Sequence, residues 1–265
     1  MDNNMVDWYL GSMGFSWKEW VGPFYPAYLE SRDFLGYYSR FFNAVEIDST
    51  FYGTPRPEYV RRWAETPLGE FKICVKTPRT ITHDMKLVGA WREMSTFLDT
   101  IRLLGDRLGV VLLQFGPSFR VSRAPELASF LSDLPKDMRF AVEVRDKSWY
   151  TDKFEELLRR RGIAWAATEY EDLPKRIANT AGFLYVRFIG QHGRWKVHDS
   201  EKIDVSERLY WWRDNLQPHL DSVDAVYGFV NNDYAGFSPA TVNQFKYLVG
   251  LPVEPFTPPQ QDRLF

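Results

Sequence analysis

Short apolar runs rich in β-branched and aromatic residues recur along the chain: Val6–Ser12, Ala44–Asp48, Phe71–Lys76, Gly109–Phe115, Phe140–Arg145, Ile163–Thr168, Phe183–Ile189 and Ala225–Asn231. Near-continuous hydrophobicity over so few residues is the pattern of strands covered on both faces, as in a parallel sheet. Between the runs the period changes to a helical one. Phe34, Tyr37, Phe41 and Phe42 share a helical face, as do Trp91, Met94, Leu98 and Ile101, and then Leu209, Trp212 and Leu216. Pro57 is suited to a first helical turn, where its missing N–H would be unpaired in any case. Phe154, Leu157 and Leu158 mark a further short helix, and Val242, Phe245 and Val249 the last. The connection Glu169–Gly182 carries no clear helical pattern. Eight strand–helix units in series predict a single closed (β/α)₈ barrel over residues 1–251. The rival, an open doubly wound sheet, lacks the Gly-x-Gly-x-x-Gly turn after its first strand. Past Leu251 the prolines Pro252, Pro255, Pro258 and Pro259 predict an extended tail over 252–265.

Charged residues inside such strands should avoid the apolar helix layer and point into the barrel. In Val45-Glu46-Ile47-Asp48 this places Glu46 and Asp48 inward, and in Val142-Glu143-Val144-Arg145 it places Glu143 and Arg145 inward. By the same alternation Lys76, Gln114, Arg187 and Asn231 point in. All lie at or near the C-terminal ends of their strands, where barrels of this kind build their sites. One interpretation is a structural ion-pair network closing the barrel top. The other is a site for an anion or polyol with a carboxylate acid/base, favoured because folding alone does not require so many buried charges.

The loops add rings and glycines. Trp17, Phe24 and Tyr25 lie in the first loop, Phe51 and Tyr52 in the second and Trp149 in the fifth. Rings beside charged groups suit sugars or bases, while an apolar plug over the barrel is the simpler use of Phe24 and Tyr25. Gly190 and Gly193 after the seventh strand, and Asn231-Asn232-Asp233 after the eighth, occupy the loops that bind phosphate in many barrels. The four histidines, His83, His192, His198 and His219, show no close metal-ligand spacing. His83, in the third loop, is a candidate for proton transfer or for a structural hydrogen bond. Glu46, Asp48, Glu143 and His83 could jointly hold a divalent metal, but nothing in their spacing specifies one.

Composition narrows the context. Aromatic residues make up 17% of the 265 residues, and most must fill core. A net charge of −2 argues against a broad nucleic-acid-binding face. The single cysteine, Cys74, forms no internal disulfide and suits a reducing compartment. With no signal-peptide pattern at Met1-Asp2-Asn3-Asn4 and no membrane-length apolar run, the expected location is the cytoplasm.

Ordered motifs extend the picture: Gly11-Ser12-Met13-Gly14-Phe15 with Trp20-Val21-Gly22-Pro23-Phe24-Tyr25-Pro26, Val45-Glu46-Ile47-Asp48-Ser49-Thr50-Phe51-Tyr52, and Lys76-Thr77-Pro78-Arg79-Thr80-Ile81-Thr82-His83. They continue through Leu113-Gln114-Phe115, Pro117-Ser118-Phe119, Ala141-Val142-Glu143-Val144-Arg145, Ser148-Trp149, Tyr185-Val186-Arg187 and Asn231-Asn232-Asp233. On these residues the chain resembles domain-of-unknown-function family 72, the YecE-like family, along most of residues 8–237. The resemblance implies a (β/α)₈ barrel and a classification beside the sugar isomerases. The chain departs from the family pattern at Phe15, where Trp is expected, at Asp48, where Asn is common, and at Ile189, where a His often precedes the glycine.

Three functions fit these features. The first is an enzyme acting on a phosphorylated sugar or similar polyol anion. Glu143 would be its general base or acid, partnered by Glu46, with Asp48 and His83 in reach. Lys76, Arg79, Arg145 and Arg187 would hold the anion or a developing oxyanion, Gln114, Asn231, Asn232 and Tyr52 would contact substrate, and Trp17 and Trp149 would flank the ring. The second is a DNA-processing enzyme, such as a nuclease acting at abasic sites. The terminal Gln261, Leu264 and Phe265 resemble the short motif by which DNA enzymes dock on a sliding clamp. The third is a non-enzymatic ligand-binding barrel.

Overall fold

The computed structural model describes residues 6–170 and 172–256. The clamp-like residues Gln261, Leu264 and Phe265 lie outside that range. Strand β1 spans Asp7–Ser12, β2 Ala44–Ile47, β3 Lys72–Lys76, β4 Leu108–Gln114 and β5 Arg139–Glu143. The sixth apolar run divides into β6, Ala164–Trp165, and β7, Ala167–Glu169; β8, Phe183–Phe188, and β9, Ala225–Val230, follow. Helices α1 (Phe34–Tyr38), α2 (Pro57–Glu65), α3 (Trp91–Ile101), α4 (Ala124–Ser132), α5 (Asp152–Arg161), α6 (Ser206–Leu216), α7 (Asn232–Ala235) and α8 (Ser238–Leu248) occupy the connections. Pro57 opens α2, as its lack of a donor predicts. Among the described residues no helix is long and apolar enough to cross a membrane.

The expected closed ring of strands is not what the hydrogen bonds draw. All pairings are parallel, but they form one sheet ordered β1-β9-β8-β7 and another ordered β2-β3-β4-β5-β6. Side chains take the place of ladder bonds at both junctions. Between β1 and β2, the Leu10 N–H donates to Asn43 Oδ1 at 3.0 Å and the Ser12 N–H to the Tyr38 hydroxyl at 2.7 Å, while Tyr38 itself donates to the Ala44 carbonyl. Gly11 permits this close approach, because a Cβ there would lie 1.9 Å from the Ala44 oxygen. A single bridge, Met13 to Glu46, continues past the side-chain contacts. Between β6 and β8, Thr180 Oγ1 accepts from the Trp165 N–H and donates to the Ile163 carbonyl. The chain then crosses from one sheet to the other at Ala166, whose N–H still donates to Val142.

Strand residues sort by parity into two apolar clusters. Val45, Ile47, Val75, Val111, Leu113, Val142, Leu184 and Val186 join the helices in the larger one. Their neighbours Ala44, Cys74, Val110, Leu112, Ala141, Tyr185, Tyr227 and Phe229 form a smaller one between the sheets. This alternation carries Glu46, Lys76, Gln114, Glu143 and Arg187 to the inner side. The start of the tail is tied to the body rather than held away from it: Phe256 packs edge-on against Phe24, with ring centroids 4.9 Å apart.

Candidate functional site

At the C-terminal ends of the strands the inner cluster gives way to a buried layer of charge. Arg187, on β8, is its centre. Its Nε donates to Glu46 Oε2 at 3.0 Å, its second terminal nitrogen donates to Glu46 Oε1 at 2.6 Å, and its first donates to Glu143 Oε2. Tyr185, two residues earlier on the same face, donates to Glu46 Oε2 at 2.5 Å. Arg145 Nε donates to the other Glu143 oxygen at 2.8 Å. Such a dry network persists only because each charge finds a partner.

The two glutamates differ although they share a guanidinium. Burial raises both. Two arginines overcome this at Glu143, so its carboxyl is held down at about 2. Glu46 has one shared arginine, and the Asp48 charge opposes its ionisation, so burial prevails and its carboxyl rises to about 7.

Above this layer lies a cavity of about 330 Å³, bounded by residues from the ends of eight strands and the loops that follow them. Lys76 projects into it from β3, with Nζ 4.0 Å from the centre of the Phe51 ring. Among the described residues no carboxylate lies within ion-pair distance of that ammonium and no acceptor bonds it. Burial pushes the Lys76 ammonium below its ordinary pKa, Asp48 pulls it back up, and Arg187 pushes it down again. Asp48 reaches Arg187 only at 3.7 Å, and its buried Oδ1 has no hydrogen-bond partner among the described residues. A buried acceptor and an ammonium on one cavity wall, neither hydrogen-bonded among the described residues, form an arrangement that folding does not need. His83 meets the edge of the same Phe51 ring at 5.0 Å, and its Nδ1 contacts Thr82 Oγ1 at 2.9 Å. Burial, then Lys76 and Arg145, lower the His83 pKa and favour a neutral imidazole. Gln114, Arg145 over the Tyr170 ring, Asn231 and the exposed Tyr52 complete the polar wall.

Several expected contributors lie elsewhere. Trp149 is fully buried, donates to the Phe119 carbonyl at 2.6 Å and stacks on the Phe119 ring, so it is core and flanks nothing. Trp17 packs on Trp20 and meets His198 edge-on, outside the cavity wall. Arg79 turns to solvent and pairs with Asp84. Asn232 accepts from the N–H and hydroxyl of Ser238, holding the start of α8. The glycine N–H groups expected to approach a phosphate are already engaged: Gly190 with the Glu169 carbonyl and Gly193 with the Asp233 carboxylate. Asp233 also holds His198 at 3.2 Å, and its charge would repel a phosphate there. Glu46 and Glu143 support the floor without lining the cavity. Among the described residues no three His, Cys, Asp or Glu side chains converge as a metal site.

Sequence reasoning missed Tyr185, Met13, Phe51 as a floor, Tyr170 and His192. Tyr185 shares the parity of Arg187, so alternation alone could have found it. Tyr170 and His192 come from irregular loops, where no period applies.

Comparison with known proteins agrees on kinship. The model of a family described as "Protein of unknown function DUF72" matches residues 9–263. UPF0759 protein YecE of Escherichia coli K12 is 36% identical over 126 residues, 48% of this chain and 46% of that protein, so the chain spans about half the length of that relative. UPF0759 protein YunF of Bacillus subtilis is 25% identical over 90% of this chain and 94% of its own length. The crystal structure of a DUF72 family protein from Thermotoga maritima superposes with a TM-score of 0.76 at 29% identity, covering 92% of this chain and 99% of that one. A DUF72 family protein from Enterococcus faecalis gives 0.73 at 19% identity, over 94% and 100%, which bears on the fold alone.

Proposed function

The chain belongs to the DUF72 family, whose description assigns no activity, and from the geometry of its own mouth cavity we propose that it is an enzyme acting on a small anionic polyol such as a sugar phosphate. We read the two sheets as the halves of one (β/α)₈ barrel, with Asn43, Tyr38 and Thr180 bridging the seams. The observation that carries the functional reading is that one cavity is lined both by Lys76, whose Nζ has no hydrogen bond or ion pair among the described residues, and by Asp48, whose buried Oδ1 has no hydrogen bond and only a 3.7 Å contact with Arg187.

The roles follow from position. Lys76, Arg145 and Arg187 line the cavity, and the first two are the less fully bonded, so an anionic group settles between Lys76 and Arg145. Gln114, Asn231 and Tyr52 offer amide and hydroxyl groups to substrate hydroxyls. Glu143 is a poor base at a pKa of about 2, and both its oxygens are taken; its part is to hold Arg187 and Arg145 in place. Proton transfer falls to Asp48 and His83, which line the cavity, rather than to Glu143. Glu46, with a carboxyl near 7, holds Arg187 from below the cavity. The volume is at the low end of the roughly 300–1,000 Å³ range for small-molecule sites, which suits a small sugar rather than a polymer.

A thermal-shift screen of sugar phosphates and their unphosphorylated alcohols, with and without divalent metal, tests this reading. Stabilisation by phosphorylated members that disappears in Lys76→Met supports it. A flat response across the set, or one indifferent to the phosphate, overturns it.

A further inference from the structure

We propose that Lys76 is a nucleophile that forms an imine with the carbonyl form of the substrate. The inference rests on reading the mouth as a substrate cavity and adds the class of substrate: an open-chain aldehyde or ketone carrying an anionic group.

An ammonium that serves only to bind an anion is normally held by acceptors that aim it. Lys76 has none among the described residues; its Nζ lies over the face of Phe51, on an apolar floor, with one side open to the cavity. The face of a ring supports a cation but takes none of its protons. The amine that remains after proton loss therefore has its lone pair free to attack. Burial favours that neutral form most, helped by the Arg187 and Arg145 charges and opposed by Asp48 and Glu143. Each unit by which an ammonium pKa falls raises its free-amine fraction at neutral pH about tenfold.

Neighbouring groups fit the chemistry. The nitrogen lone pair adds to the carbonyl carbon while the C–O π pair moves to oxygen. The nitrogen proton passes to the oxygen through water admitted to the cavity, with the Asp48 carboxylate on the same wall to take it up and return it, giving a neutral carbinolamine. By the same relay the second nitrogen proton reaches the departing hydroxyl. The hydroxyl leaves as water and the nitrogen lone pair closes the C=N bond, so amine plus carbonyl give imine plus water. His83, against the same Phe51 ring, lining the same cavity and favoured neutral, is placed to take a proton from the carbon next to the imine.

Reductive trapping tests the proposal on the full-length chain. The protein is incubated with dihydroxyacetone phosphate and borohydride, and the adduct is located by peptide mass mapping. A parallel thermal-shift titration uses glycerol phosphate, which carries the anion but no carbonyl. One adduct per chain, on Lys76, formed about tenfold or more faster than on any surface lysine, is expected. Lys76→Arg, which keeps the cation, should lose the adduct and still respond to glycerol phosphate. Stabilisation by glycerol phosphate without an adduct, or with adducts scattered over surface lysines, overturns the imine and leaves the anion site standing. An adduct on Lys76 without any glycerol phosphate response upholds the imine and removes the anion reading. Failure of both probes removes both.

Discussion

At the end of the strands opposite the mouth lies a cleft of about 590 Å³, larger than the mouth cavity and lined by strand starts rather than strand ends. It too is rich in charge, but its cations are all occupied. Lys72 donates to the Asp106 carbonyl at 2.8 Å, Arg102 pairs with Asp137 at 2.6 Å, and Arg139 donates to the Tyr227 hydroxyl at 2.8 Å. Tyr9 stacks on Tyr227, closing the floor. At the mouth the order is reversed. Arg187 has its hydrogen bonds filled by Glu46 and Glu143, while among the described residues Lys76 Nζ has no hydrogen bond and Asp48 Oδ1 only a 3.7 Å contact with Arg187. Volume therefore does not distinguish a site from a well-hydrated end of a sheet. Charge that lines a cavity and is left without a hydrogen-bond partner does.

Removing the buried arginine should separate the two ends most sharply. Arg187→Met leaves Glu46 and Glu143 buried without their shared cation and should cost about 3–5 kcal/mol in urea unfolding. Arg102→Ala, at the exposed end, should leave the unfolding midpoint where it is. Equal effects of the two would erase the distinction.

Acid–base linkage gives the next effect. The folded state raises the Glu46 carboxyl from 4.5 to about 7, so it holds a proton that the unfolded chain has released. Stability should then fall as pH rises from about 4.5 to about 7, by on the order of 3 kcal/mol. Glu143 acts in the opposite sense in a lower window: its depressed carboxyl contributes stability that is present above about 4.5 and lost as pH falls towards about 2. Glu46→Gln should flatten the upper limb and spare the lower one. Coincident pH–stability curves for variant and wild type would contradict this assignment.

Lys76→Met should weaken glycerol phosphate binding by about 10- to 100-fold, the worth of a charge-assisted contact. Its melting temperature should hold or rise, because a buried cation without a partner is removed. A loss of stability instead would mark Lys76 as structural. The smallest effect belongs to the opposite cleft, where Arg139→Gln should change stability by no more than about 0.5 kcal/mol and leave affinity untouched.

Much of this was legible from alternation. The inward set Glu46, Lys76, Gln114, Glu143 and Arg187 follows from strand parity, because a charge facing the helix layer would be unpaired. Parity could not tell which inward charges are sealed and which are open. That depends on depth along the strand: Glu46 and Glu143, two residues before Asp48 and Arg145, fall short of the cavity that the later pair lines, and partners on other strands decide their pairing. The open seams were not legible either, since Tyr38, Asn43 and Thr180 replace ladder bonds from loops and a helix distant in sequence. Trp149 misled for a similar reason. A loop tryptophan reads alike whether it faces a ligand or fills core, and only the Phe119 carbonyl that takes its N–H shows which.

Calorimetric titration of glycerol phosphate into wild type, Lys76→Met and Arg139→Gln, at neutral pH and one salt concentration, tests the central claim most directly. Binding to wild type and Arg139→Gln with loss in Lys76→Met is the predicted result. Binding that survives in Lys76→Met and vanishes in Arg139→Gln would place the anion at the other end of the strands and contradict it.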